Sequence, residues 1–233
     1  MFFGIDPMYF LFLAPAMALA TWAQWKVHRA YADASQIPPA SGMSGAEVAQ
    51  AILRRNNLRV PIEVVEGYLS DHYDPTAKVL RLSPDVYAGR SVAAMGIAAH
   101  EVGHALQDAG GYPLLVIRNA IVPLASWGGN LSWILMLIGF LLSSFNLIVL
   151  GIGLFSLTVV FQLVNLPVEF DASARAKHLL REMGITHPGE DGIVRRVLSA
   201  AAMTYVAATL TSLLTLAYYV FRLSGAGSSS DEA

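Results

Sequence analysis

The sequence predicts a mainly α-helical membrane protein, with about four transmembrane helices and one small α+β lobe in the cytoplasm. Three observations carry that prediction. Apolar residues make up 55% of the 233-residue chain and charged ones only 14%, with a mean hydropathy of +0.51, too apolar for an ordinary soluble domain. The apolar residues gather in runs long enough to cross a hydrocarbon core of roughly 30 Å. The stretches between the runs carry helix caps, strand-like alternation and turn residues, enough for a single small lobe. A net charge of -2 offers no basic stripe to nucleic acid, which is excluded as a partner. With no cysteine there is no disulfide, no thiol nucleophile and no thiolate ligand, so any metal must be held by His, Asp or Glu.

The elements follow in order. Residues 1–29 hold the first transmembrane helix: Met8 to Trp25 is continuously apolar and is followed by Lys26, His28 and Arg29. It reads as a retained span, because it is preceded by Asp6 rather than a basic region and ends in bulky Trp22 and Trp25. Residues 30–111 form the soluble lobe. After the linker IPPASGMS, Ser44 caps a helix over Ala46 to Asn57, and Glu47 completes a capping box. Val60 to Val65 and Lys78 to Leu82 have strand character, and the turn-rich GYLSDHYDPT between them predicts a β-hairpin or meander. Ser83-Pro84 marks a helix start, and Ser91 opens an Ala-rich helix that stops at Gly110-Gly111.

Residues 112–166 comprise a linker helix and a transmembrane hairpin, with runs Ser126 to Phe145 and Leu147 to Val164 joined at SSFN. Residues 167–199 hold a helix starting at Leu166-Pro167 and a connecting segment, residues 200–223 the last transmembrane helix, and 224–233 a Gly/Ser-rich tail expected to be disordered. Lys26, Arg29, Arg175, Lys177, Arg181, Arg195 and Arg196 all fall on one side of the spans, with Arg222 alone at the far end of the last one, so the positive-inside rule puts the lobe in the cytoplasm and both termini outside. Trp22, Trp25, Trp127 and Trp133 suit spans and interfacial belts, and His28 and His187 suit interfacial and loop positions.

One motif carries chemistry. His100-Glu101-Val102-Gly103-His104 is an H-E-x-x-H sequence, and on a helix its two imidazoles project from one face and reach a single Zn²⁺. Glu101, about a third of a turn away, is placed to act as general base on a water polarised by the metal. The neighbours Ala98, Ala99, Val102 and Ala105 are apolar, so this is not the wet face of a surface helix. Gly96 and Gly103 share the ligand face and predict that another backbone approaches it closely.

A catalytic zinc usually takes a third protein ligand. In VEFDASARAKHLL, Glu169, Ala172, Ser173 and Ala176 share one helix face, while Asp171 lies about 200° from Glu169. Glu169 is therefore preferred as the third ligand over Asp171 or His178, and Asp171 with Arg175 forms an i, i+4 pair. His72 and Tyr73, in the polar cluster around DHYD, and Arg175 and His178 are candidates for stabilising an oxyanion.

The strings SGMSGAEVAQAIL, DHYDP, LRLSPDVY, AAHEVGHALQD and LPVEFDASARA resemble the YugP-like neutral zinc metallopeptidase family over most of the chain. That resemblance implies a membrane-bound zinc metalloendopeptidase acting on a polypeptide, with a zincin-like lobe, His100, His104 and Glu169 as ligands and Glu101 as base. In the similar gluzincin arrangement an Asp stands four residues after the ligand glutamate, where this chain has Ser173. The expected location is a bacterial inner (plasma) membrane, with the lobe facing the cytoplasm and the lipid bilayer as partner. Two other functions compete. A non-catalytic scaffold with a structural zinc has no use for Glu101, and an intramembrane protease would need a more apolar motif helix than Val92 to Gln107.

Overall fold

The computed structural model describes residues 7–227, and they are mainly helical with one small sheet. In chain order the elements are α1 (Pro7–Ser35), α2 (Gly45–Arg55), β1 (Ile62–Val64), β2 (His72–Asp74), β3 (Val79–Leu82), α3 (Pro84–Tyr87), α4 (Val92–Ala109), α5 (Pro113–Leu141), α6 (Phe145–Glu182) and α7 (Pro188–Gly227). They divide into two compact units, with the boundaries falling inside α1, α5, α6 and α7.

The first unit comprises the chain up to Trp22, Ile117–Leu166 and the chain from Thr204. Helices α5, α6 and α7 are long and apolar enough to cross a membrane. Their large side chains face outward, as Trp127 at 79% exposure and Leu141 at 70% illustrate, which suits helices long and apolar enough to meet lipid. Helix α1, expected as a span, is not among the three, its apolar run being broken by Pro15, Thr21 and Gln24. Its first turns nonetheless pack on α7, Tyr9 and Phe12 meeting Tyr218 edge-on with ring centres 5.1 and 5.9 Å apart. Helices α5 and α6 form the expected hairpin, turning at Leu142–Ser144 with Ser143 in the left-handed region. A side chain on Gly151 would come within 2.9 Å of the Ser132 carbonyl and 3.1 Å of the Met136 amide, so glycine there lets the two backbones touch.

The second unit comprises Ala23–Val116 and Pro167–Met203. Its core is one cluster in which Ile52 and Leu53 of α2, Leu80 and Leu82 of β3, Met95, Ala98 and Val102 of α4, Leu180 of α6 and Val194 of α7 are all buried. Helix α2 has the expected start: Ser44 Oγ accepts from the Glu47 amide at 3.2 Å, and Glu47 Oε2 accepts from the Ser44 amide at 2.7 Å. Ser91 caps α4 by accepting from the Ala94 amide, and Gly110 ends it. Just before α3, Ser83 is tied through both its amide and its hydroxyl to the Asp71 carboxylate.

The sheet differs from the expected pairing. Strand order is β1-β3-β2, with β1 parallel to β3 and β2 antiparallel to it. The hairpin is thus β2–β3, and its first strand lies inside the string read as turn. Asp74 accepts from the Thr76 and Ala77 amides at the turn while Asp74 Oδ2 holds Arg81, so the turn residues and the strand share one acid. Two further differences lie in the helices. Helix α6 runs through Pro167, where a new helix was expected to begin. Helix α7 continues through Ser224 to Gly227, so only residues 228–233 of the expected tail lie outside the described residues.

Candidate metal centre

Helix α4 presents His100 and His104 on one face, and α6 presents Glu169 beyond its apolar part. One ligand atom from each lies within 4.8 Å of the others, the distance at which a single cation can join them. Glu169 Oε2 sits 3.3 Å from His100 Nε2 and 3.5 Å from His104 Nε2. Neither imidazole meets it in hydrogen-bond geometry, so this buried oxygen is left without a partner. A buried, unsatisfied carboxylate oxygen is costly in an apolar setting, and a metal ion facing two imidazole nitrogens would satisfy it. The donor set of two imidazoles and one carboxylate fits zinc.

The close approach that places Glu169 depends on Gly103. A Cβ there would lie 2.7 Å from the Ala172 carbonyl oxygen of α6. On the facing side Glu169, Ala172, Ser173 and Ala176 are all buried, the face that helical spacing assigns to them. Gly96 behaves otherwise: its nearest neighbour is the Val194 side chain of α7 at 3.4 Å, ordinary contact with no backbone close by.

Both imidazoles are held from behind. With Nε2 turned toward Glu169, His104 Nδ1 donates to Gln107 Oε1 at 2.9 Å, and the Gln107 amide donates to the Val168 carbonyl and to Asp171 Oδ2, each at 2.8 Å. His100 Nδ1 lies 3.1 Å from Ser173 Oγ, so the serine four residues after Glu169 occupies the place of the expected carboxylate with a neutral hydroxyl. Asp171 stands outside the ligand cluster, bonded to Gln107 and to Arg175 Nε at 2.5 Å. His178 is exposed and pairs with Glu182.

Glu101 is buried beside the two imidazoles, and its Oε2 accepts the Tyr73 backbone amide of β2 at 3.1 Å. Burial pushes its carboxyl above the ordinary glutamate value, outweighing the imidazoles. Burial pushes Glu169 the same way, but its contacts with both imidazoles win and hold it well below the ordinary value. Two neighbouring carboxyls are thus shifted in opposite directions. The remaining candidates have other partners: the Tyr73 hydroxyl donates to Asp108, His72 is exposed with Nδ1 against the Ser70 carbonyl, and Arg175 lies over the Tyr112 ring. The sequence reading missed Gln107, whose only signal was its place one turn after His104.

The chain matches a family model described as "Putative neutral zinc metallopeptidase" over residues 9–224. The chain belongs to this family. Within the curated proteins, this zinc metallopeptidase family member is 50% identical over 215 residues to "Putative membrane protease YugP" of Bacillus subtilis (strain 168), which covers 91% of this chain and 96% of the relative. No solved structure matches. His100, His104 and Glu169 are the group in this chain that could hold the metal ion the family's description names.

Proposed function

We propose that the protein is a membrane-bound zinc metalloendopeptidase that hydrolyses a polypeptide at or near the membrane surface. The observation that carries the reading is the convergence of His100, His104 and Glu169 with Glu101 beside them. In this reading those three residues hold one zinc ion, which supplies a Lewis acid for a water and a substrate carbonyl. Tyr73 fixes Glu101 Oε2 and leaves Oε1 without a hydrogen bond among the described residues, so Oε1 takes the proton of the attacking water and passes it to the leaving amine. Gln107 and Ser173 keep the Nδ1 protons in place so that both Nε2 atoms face the ion. The intramembrane alternative is disfavoured because α4 is not among the helices long and apolar enough to cross a membrane. The structural-zinc alternative leaves a buried, proton-accepting Glu101 unexplained.

In the same reading α1 is a fourth span, supported by its ring contacts with α7, and the lobe faces the cytoplasm of a bacterial plasma membrane. The deciding experiment measures zinc content and cleavage of a denatured protein by purified wild type and Glu101→Gln. The variant should keep its zinc and lose roughly 10²- to 10⁴-fold in turnover. Wild-type turnover in a pure, zinc-loaded Glu101→Gln preparation would remove Glu101 from the mechanism.

A further inference from the structure

Apart from the metal cluster, the second unit holds a cleft of about 320 Å³ between α1 and α7. This is at the lower end of the roughly 300–1,000 Å³ typical of small-ligand sites. Its charged and aromatic lining is Trp25, Lys26, Arg29, Asp33, Arg195 and Arg196. Four cations thus face one cleft with a single carboxylate among them, and Asp33 is already shared with Arg29 at 3.9 Å. The Arg29 guanidinium lies 5.3 Å from the centre of the Trp25 ring. Arg195 and Arg196 are exposed and form no ion pair among the described residues. Between the charges the wall is apolar, with Ala30 and Ile193.

The position of these residues along their helices decides what the cleft suits. Lys26 follows the apolar run of α1 directly, and Arg196 precedes the run Ala200 to Phe221 of α7 by about one turn. Cations and a tryptophan at the ends of apolar runs belong at the depth of lipid phosphates. A guanidinium pair offers forked donors to a phosphodiester, and the apolar wall fits the glycerol and first methylenes attached to it. A soluble anion would use the charges and have no use for the wall.

We propose that this cleft binds the headgroup of an anionic glycerophospholipid. The inference needs α1 and α7 to be embedded in a bilayer and is independent of the peptidase reading. The test reconstitutes the full chain into phosphatidylcholine nanodiscs with a minor fraction of phosphatidylglycerol, then counts the lipids retained in detergent by native mass spectrometry. Wild type should retain phosphatidylglycerol in preference to phosphatidylcholine. Arg195→Gln with Arg196→Gln should lower that retention about ten-fold or more, and Lys26→Gln alone by about five-fold. Arg54→Gln with Arg59→Gln, an equal charge change at exposed positions outside the cleft, should leave retention unchanged. An elution volume in detergent and a thermal unfolding midpoint equal to wild type certify that each variant is folded, and the single Lys26 variant carries the test if the double variant is not. Equal retention of the two lipids, an equal loss in the Arg54/Arg59 variant, or release of the lipid by inorganic phosphate would overturn the proposal.

Discussion

Gln107 joins three groups of two helices with one side chain: its carbonyl receives His104 of its own helix, and its amide reaches the Val168 backbone and Asp171 of α6. Gln107→Leu keeps the bulk but strands the His104 Nδ1 proton and leaves the Asp171 carboxylate with Arg175 alone. On the proposed ligand set, zinc affinity should fall about 10- to 100-fold, read by dialysis against a graded chelator. Glu169→Gln should do much worse, because an amide oxygen replaces a carboxylate in a site with only two imidazoles, and zinc should be lost in the mildest chelator step. Asp171→Asn keeps an acceptor for Gln107, so its zinc should remain nearly stoichiometric; loss of metal there, with retention in Glu169→Gln, would reverse the ligand assignment. That His100, His104 and Glu169 come together was legible in the sequence, because helical spacing puts the two imidazoles on one face of α4 and Glu169 on the small-residue face of α6. Gln107 was not, since a lone glutamine has no pattern and its partners Val168 and Asp171 come from a distant stretch of chain.

Between elements, α4 and α6 touch through Gly103, whereas Gly96 only meets a side chain of α7. Alanine should therefore act oppositely at the two sites. At Gly96 it fits at ordinary contact distance and gains helix propensity, stabilising by about 0.5–1 kcal/mol. At Gly103 its methyl lies 2.7 Å from a backbone oxygen, so α6 must move away. The cost of overpacking is roughly 1–3 kcal/mol, and displacement of Glu169 should weaken zinc binding as well. Thermal unfolding in detergent with parallel metal analysis measures both, and identical behaviour of the two variants would refute the backbone contact. The caps of α2 and α4 were legible because capping is local. Strand β2 was not: three residues are too short for alternation to show, and Asp74-Pro75 carries a turn signal that the hairpin does use. The continuity of α6 was hidden by Pro167, a residue that reads as a boundary because it removes a backbone donor and crowds the preceding turn, yet the helix runs through it.

For the whole molecule, the proposed orientation has a direct test. Single cysteines placed at Ser70, between β1 and β2, and at Asn146, in the first turn of α6, provide one reporter on each side, and the chain has no cysteine of its own. In intact cells an impermeant thiol reagent should label Asn146→Cys and spare Ser70→Cys; the opposite pattern would place the lobe outside. The hairpin between them also sets an order in time. Seventy-three residues separate His100 from its hydrogen-bond partner Ser173, and Glu169 comes almost as late. A nascent chain that has left the ribosome only as far as Ser143 owns both imidazoles and the base but no third ligand. On the proposed ligand set it is an unarmed protease, and it becomes armed only when α6 has been synthesised. On that ligand set, chain completion would do the work that a removable inhibitory pro-segment does in proteases made as precursors, and hydrolysis would wait until the hairpin has been made.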